Sequence, residues 1–143
     1  MEANELLRKY ASGERNFTRV YLAEANLCGA NLIGIDFSGA ILSGVKLSEA
    51  NLSEADFLCA NLCWAFLPQV NLTRANLKYT DLYHADLKMA ILHRANLYRA
   101  NLSGADLSQA NLAEANLSCA NLHGTILDGA NLTGTIMPDG AKG

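Results

Sequence analysis

The chain has 143 residues, half of them hydrophobic, and a formal net charge of −3. This composition suits a single globular domain and argues against a surface built mainly to bind nucleic acid or another polyanion. The sequence contains no apolar run near the roughly 18 residues of a membrane span. Because its acidic opening also lacks a signal-peptide pattern, we expect a cytoplasmic protein with no membrane association.

The opening segment, residues 4–10, predicts a short α-helix. Asn4 is the candidate N-cap, and Gly13 is the expected stop signal. Leu6, Leu7 and Tyr10 are apolar or aromatic residues of this helix. We expect them to cover the lower end of the structure that follows, where unpaired backbone would otherwise invite another chain.

A five-residue repeat then runs through the chain. Residues 95–124 read ANLYR, ANLSG, ADLSQ, ANLAE, ANLSC and ANLHG. We call the apolar third residue of each repeat its centre; in the 23 repeats centred from Leu22 to Leu132 it is Leu in 21 and Phe in two. The residue two positions before the centre is Ala in 17 repeats. The residue directly before the centre is Asn or Asp in 17 repeats. A five-residue period fits neither a helix nor a plain strand, so it indicates a repeat architecture.

These residues resemble the pentapeptide-repeat family over about residues 15–137. The opening LLRKYASGERNF and the ending TIMPDG resemble in particular its short cyanobacterial members. The resemblance implies an all-β fold, a right-handed quadrilateral β-helix in which four pentapeptides form one coil, here about six coils. It divides the chain into an N-terminal capping helix and lead-in (1–14), the repeat β-helix (15–137) and a C-terminal tail (138–143).

Residues two apart in an extended segment point to the same side, so each centre and the small residue two positions before it face inward. Asn and Asp before the centre are interpreted as turn formers and as stacked side-chain amides. Phe17, Phe37 and Phe57 are 20 residues apart and predict one stacked aromatic column. Pro68 cannot donate a backbone hydrogen bond, which predicts a local bend at its wall.

Function is expected on the outside, because leucines fill the interior and leave no pocket. In the middle of the chain, the outward positions carry a candidate protein-binding patch: Cys59, Trp64, Phe66, Tyr79, Tyr83, His84, Tyr98 and Arg99. Column arithmetic places Trp64 directly over His84. Aromatic residues with Arg are typical of interface hot spots. They also cover β-walls without any function, so both interpretations stay open.

The sequence has few residues that could form disulfides, bind metal or catalyse a reaction. The four cysteines, Cys28, Cys59, Cys63 and Cys119, lack the spacing of a disulfide framework and are expected to be free thiols. Cys59, Cys63 and His84 could suggest a metal site, but they fall on adjoining walls with no fourth ligand. We therefore predict no metal, no cofactor and no catalytic residues.

The sequence thus predicts a non-enzymatic scaffold or regulatory protein that binds an unknown protein partner through an outer wall. Two alternatives stay open: a DNA-mimic modulator of a type II topoisomerase, and a purely structural or self-assembling rod. The small net charge and a basic middle segment disfavour the DNA mimic. At the upper end, the C-terminal coil is expected either to form a homodimer or to be covered by the tail. Nucleic-acid binding is not expected, because the basic residues are few and interrupted by acids.

Overall fold

The computed structural model describes all residues, 1–143. Its one helix, α1, spans Ala3–Ala11, and no helix is long and apolar enough to cross a membrane. From residue 16 onward the backbone forms 21 parallel β-bridges, from Asn16↔Asp36 to Asn116↔Ile136, each joining residues 20 apart. The β-structure therefore consists of single bridged residues stacked coil upon coil, because a turn follows too soon for a longer strand to form.

Each repeat ends in a hydrogen-bonded β-turn. The carbonyl of a centre accepts the N–H three residues later, as from Ala25 N to Leu22 O at 3.1 Å. The third residue of all 24 turns, every fifth position from 19 to 134, has a positive φ, and only eight of these residues are Gly. A positive φ at this position is what a type II turn requires, and each non-glycine residue pays about 1–2 kcal/mol to adopt it.

The Asn or Asp that precedes most centres caps this turn. Asn26 Oδ1, for example, accepts the N–H of Cys28 at 3.1 Å, and the same bond recurs in 17 repeats. Side-chain amides bridge coils only from Asn76 to Asp56 and from Asn101 to Asp81. Turn capping, and not a continuous ladder of stacked amides, is therefore the role of this position.

The centres fill the interior. All of them from Phe17 to Leu117 are at most 3% exposed. The predicted aromatic column is confirmed, with ring centroids of Phe37 lying 6.4 Å from Phe17 and 5.6 Å from Phe57. Where Thr80 replaces the small inward alanine, its hydroxyl donates to Phe57 O at 2.7 Å, so the buried oxygen stays satisfied.

Four walls follow from the 20-residue spacing, and we name each after its first centre. Each wall contains one pentapeptide from every coil. The four are the Phe17, Leu22, Leu27 and Leu32 walls. The Leu22 wall thus comprises residues 20–24, 40–44, 60–64, 80–84, 100–104 and 120–124. Residues 20 apart on one wall form a column.

At the lower end, the predicted helix is confirmed but two of its details are wrong. Asn4 lies inside α1, and the N-cap is Glu2, which makes no side-chain capping bond. Leu6 is fully buried and Tyr10 packs against the core, with its hydroxyl donating to Ile33 O at 2.7 Å. Leu7 points away and is 37% exposed, because the buried face follows the spacing of Ala3, Leu6 and Tyr10.

At the upper end, the tail folds back. Ile136 and Lys142 form an antiparallel bridge, and Met137 N donates to Ala141 O at 2.7 Å. The tail covers only this corner. The centres Leu122, Leu127 and Leu132 stay half-buried, and their backbone N–H groups have no partner.

Pro68 leaves the backbone pairing of its wall intact, because it lies where no hydrogen bond to another coil is needed. The N–H groups of Leu67 and Gln69 donate to the next coil at 2.8 and 2.9 Å, and Pro68 O accepts from Glu49 N at 3.1 Å. Pro68 is the second residue of its turn, where the N–H makes no bond to another coil and where proline is favoured.

The turn geometry predicts that some glycine substitutions stabilise the protein. Gln69, with φ 58°, is an exposed third turn residue whose side chain makes no hydrogen bond. We expect Gln69→Gly to be about 1 kcal/mol more stable than Gln69→Ala, since only alanine keeps the Cβ that opposes positive φ. Chemical denaturation of the two variants measures this difference. Equal stabilities would contradict the strain assigned to these turns.

Candidate protein-binding surface

Three side chains form an aromatic cluster on the Leu22 wall. The rings of Trp64 and His84, one coil apart in one column, stack with centroids 4.5 Å apart and planes 10° apart. Tyr83 packs its ring edge-on against both, at 6.0 Å from Trp64 and 4.4 Å from His84. This confirms that Trp64 lies over His84. Such ring pairs stabilise by about 0.5–1.5 kcal/mol beyond their burial.

A glycine makes room for the stack. A Cβ added to Gly104 would lie 2.6 Å from Nε2 of His84, so the imidazole occupies the space above this residue. Any larger side chain at position 104 would push His84 out of its stack. Beyond the imidazole, Tyr83, Ser103 and His123 line a shallow depression of about 340 Å³ over Gly104 and Gly124.

A second cluster lies on the adjoining Phe17 wall. Tyr79 and Tyr98 meet edge-to-face with centroids 5.9 Å apart, and the Arg99 guanidinium lies 5.6 Å from the Tyr98 ring. The Tyr98 side chain, followed by the Tyr79 side chain, raises the pKa of Arg99. Arginine is a cation at neutral pH without this shift. No ring of this cluster contacts the Trp64 cluster.

The predicted patch is therefore two clusters, with two further residues that join neither. Cys59 is exposed at a corner of the Phe17 wall, and Phe66, 45% exposed, lies past the next corner on the Leu27 wall. Seven of the eight predicted residues are exposed. Tyr98 is half-buried, with the Tyr79 ring and the Arg99 guanidinium packed against it.

Cys63 precedes Trp64 on the same wall and has a shifted thiol pKa. Burial raises the pKa of its thiol to about 11, and the neighbouring Asp81 carboxylate adds to the rise. The other three cysteines are exposed. No three His, Cys, Asp or Glu side chains are placed to share a metal ion.

Sequence reasoning overlooked the residues that shape the Leu22 wall. Gly44 and Gly104 lie one coil below and two coils above Trp64, and Glu24 lies two coils below it in the same column. The 20-residue spacing that paired Trp64 with His84 would have found them. They were missed because a glycine and an acid look like ordinary turn and surface residues.

Comparison with known proteins identifies the family. The model described as pentapeptide repeats (8 copies) matches residues 16–53, 55–94 and 95–134. The chain belongs to the pentapeptide repeat family. Members of this family form right-handed quadrilateral β-helices, which agrees with four repeats between bridged residues. A comparison with curated protein sequences gave no significant match.

Several solved structures are similar. HetL from the cyanobacterium Nostoc sp. strain PCC 7120, a pentapeptide repeat protein involved in heterocyst differentiation regulation, is 27% identical with a TM-score of 0.52, and all of both chains is covered. Rfr23 from the cyanobacterium Cyanothece is 33% identical with a TM-score of 0.54, covering 92% of this chain and 93% of that one. QnrB1, a plasmid-mediated fluoroquinolone resistance protein, is 21% identical with a TM-score of 0.56, covering 87% of this chain and 66% of QnrB1. The likeness to QnrB1 shows the fold alone.

The thiol chemistry gives a direct test of the surface around Trp64. At about pH 8 we expect three cysteines to react rapidly with Ellman's reagent and one, Cys63, to react slowly, because a thiol of pKa about 11 is almost entirely protonated. Cys63→Ala should remove the slow phase. Asp81→Asn should accelerate it, since loss of the carboxylate lowers the thiol pKa. Four equal rates would contradict the burial assigned to Cys63.

Proposed function

We propose that this protein is a non-enzymatic scaffold or regulatory protein that binds a protein partner through an outer wall of its β-helix. The observation that carries the proposal is the exposed Trp64 cluster. Trp64 is 63% exposed, its φ is 60°, and glycine would adopt this backbone with less strain. Folding therefore gives no reason for tryptophan here, whereas Trp and Tyr dominate the energetics of protein interfaces.

The proposed surface extends across the corner between two walls. Tyr79, Tyr98 and Arg99 form its second cluster, and Cys59 and Phe66 are its flanks. Arg and aromatic residues are enriched together in interface cores. An edge-to-face tyrosine pair beside a permanently charged guanidinium offers both apolar area and a hydrogen-bond donor to a partner.

Binding, and not catalysis, is the role that this architecture favours. The interior is filled by centres with almost no exposure, so a substrate would have to lie on the outer surface. Such a surface does not exclude water around a reacting group. Pentapeptide repeat proteins are generally structural or binding scaffolds.

The similar proteins help to choose between regulation and a DNA-mimic role. HetL is involved in heterocyst differentiation regulation, and its similarity to this chain extends over both full lengths. For the DNA-mimic alternative, the net charge of −3 is small, and the likeness to QnrB1 shows the fold alone. Regulation through protein binding is therefore the better supported role. The cytoplasmic location expected from the sequence stays a prediction.

The proposal is tested by quantitative affinity capture from the lysate of the source organism. Trp64→Ala/Tyr83→Ala should lower capture of a specific partner at least tenfold, because hot-spot truncation costs about 2 kcal/mol or more. The matched control is Arg74→Ala/Ile91→Ala, which removes two exposed side chains from the Leu32 wall across the rod. Circular dichroism checks that both variants fold. Equal capture by wild type and both variants would contradict binding through this wall.

We also propose that two copies associate through the upper coil. The half-buried centres Leu122, Leu127 and Leu132, with their unpaired N–H groups, form an open end that the tail covers at one corner only. Unpaired edges of this kind pair readily with another chain.

Light scattering after gel filtration tests this association. Wild type should have twice the 15.3 kDa mass of one chain. Leu127→Glu should be monomeric, since it places a charge on the open end, whereas Ile91→Glu, on an exposed side wall, should remain dimeric. A monomeric wild type at the highest attainable concentration would rule the homodimer out.

A further inference from the structure

The Leu22 wall differs from the other three in the kinds of charged residue that it carries. Its charged residues are Glu24 and Asp81, and it contains no Lys or Arg. Each of the other walls carries at least two basic residues: Arg15, Arg19, Lys78 and Arg99 on the Phe17 wall, Lys46 and Lys88 on the Leu27 wall, Arg74 and Arg94 on the Leu32 wall. The Leu27 wall has the same net charge of −2, from four acids and two lysines, so the wall that exposes the tryptophan is distinguished by acidic residues with no basic side chain to compete with a positively charged ligand.

One face of the Trp64 indole is open. Trp64 and His84 belong to one column, and their parallel rings are separated by about one coil spacing, so the stack runs along the column. The opposite face of the indole must then look back down the column toward Gly44. This residue has no side chain to cover it, and Trp64 remains 63% exposed.

A carboxylate lies on the far side of this gap. A Cβ added to Gly44 would lie 2.6 Å from Cδ of Glu24, so the Glu24 carboxyl group reaches up the column into the space above Gly44. Glu24 and Trp64 are two coils apart, about 9.6 Å along the column. A cation over an aromatic ring sits within about 6 Å of the ring centroid, and a carboxylate on its other side completes the contact.

No cation of the protein itself occupies this gap. Lys46 is the nearest basic residue in sequence, two positions after Gly44 and across the corner, yet it forms no ion pair. The two cation–π contacts of the protein involve Arg15 with Tyr10 and Arg99 with Tyr98. The open indole face and the Glu24 carboxylate are thus both without a positive partner.

We propose that Trp64 and Glu24 together bind an arginine side chain of a basic segment in the protein partner. Because the carboxylate lies across the gap from the indole, the guanidinium sits between them with its plane turned away from the indole face, so that one edge approaches the ring and the N–H groups of the opposite edge donate to Glu24. A compact ammonium covers this span less well. Asp81, on the same wall, adds negative potential along the approach. This inference rests on the proposed function and names the chemistry that the Leu22 wall recognises.

Trp64 is the one tryptophan of the chain, so its fluorescence reports on this site alone. The probe is a blocked peptide containing three arginines, titrated into the millimolar range at constant ionic strength. Its control is the same peptide with citrulline at those positions, which keeps the planar shape and removes the charge. The arginine peptide should give a saturable change in Trp64 emission, and the citrulline peptide should give none.

Two variants test whether the carboxylate that binds the arginine is that of Glu24. Glu24→Gln should weaken binding of the arginine peptide about tenfold. Glu54→Gln should leave it unchanged, because Glu54 occupies the same turn position with the same positive φ on the Leu32 wall. An absent or unsaturable response, an equal response to citrulline, or equal effects of the two variants would each overturn the arginine site.

The outcomes also separate this inference from the function on which it rests. If capture of a partner depends on Trp64 and Tyr83 but the arginine peptide fails to bind, the scaffold proposal stands and the arginine site falls. If the peptide binds with the expected dependence on Glu24 while capture is unaffected by the double variant, the site stands and the captured partner uses another surface.

Discussion

The hydrogen-bonded turn with a left-handed third residue is the constraint on which the rest of the structure depends. It bends the chain after every inward centre, so that backbone bridges form between residues 20 apart and the centres stack into a continuous core. It also fixes which side chains are seen from outside, since the third turn residue projects from each corner. The outer surface is consequently a set of columns with one residue from each coil.

Columns of this kind let short sequences build surface sites without a pocket. Side chains at one turn position reach toward the next coil, as the imidazole of His84 does over Gly104 and the carboxyl of Glu24 does over Gly44. A glycine in a column therefore opens a gap that the neighbour below can fill. The Leu22 wall has such a glycine on each side of its aromatic stack. Gly104 accommodates the imidazole of His84, and Gly44 leaves one face of the Trp64 indole uncovered.

The periodic part of the fold could be predicted from the sequence because each repeat meets the same neighbours. The phenylalanine column and the Trp64–His84 stack followed from residue spacing alone. The details that failed depend on contacts that do not repeat. The start of α1 at Ala3 and the outward Leu7 are set by how the helix docks on the lower coil.

The candidate site was predictable in its positions but not in its grouping. Spacing placed the aromatic side chains on the outside, yet it carried no information on ring orientation. Side-chain rotamers divided them into two clusters and left Phe66 in neither. The gap beside Trp64 was equally hidden, because it depends on the reach of Glu24 and on the absence of a side chain at Gly44.

Two repeats lack the turn-capping residue and the N–H that it would cap at the same time. Phe66 replaces the usual turn-capping Asn or Asp, and two residues later Pro68 removes the N–H that such a residue would cap. Ile136 and Pro138 form the same pair. In these repeats one departure compensates the other within the turn, so the backbone pairing continues through Pro68.

Trp64 is unusual in another way, because its repeat keeps every motif residue. Its repeat keeps the capping residue, since Asn61 Oδ1 accepts the N–H of Cys63 at 3.0 Å, so nothing in the turn requires a bulky residue at the corner. The residue is strained in φ, exposed, and stacked on a histidine that a glycine accommodates. Its positive φ is shared with 15 other non-glycine corner residues, so the exposed aromatic stack, and not the backbone strain, is what supports the proposed binding surface.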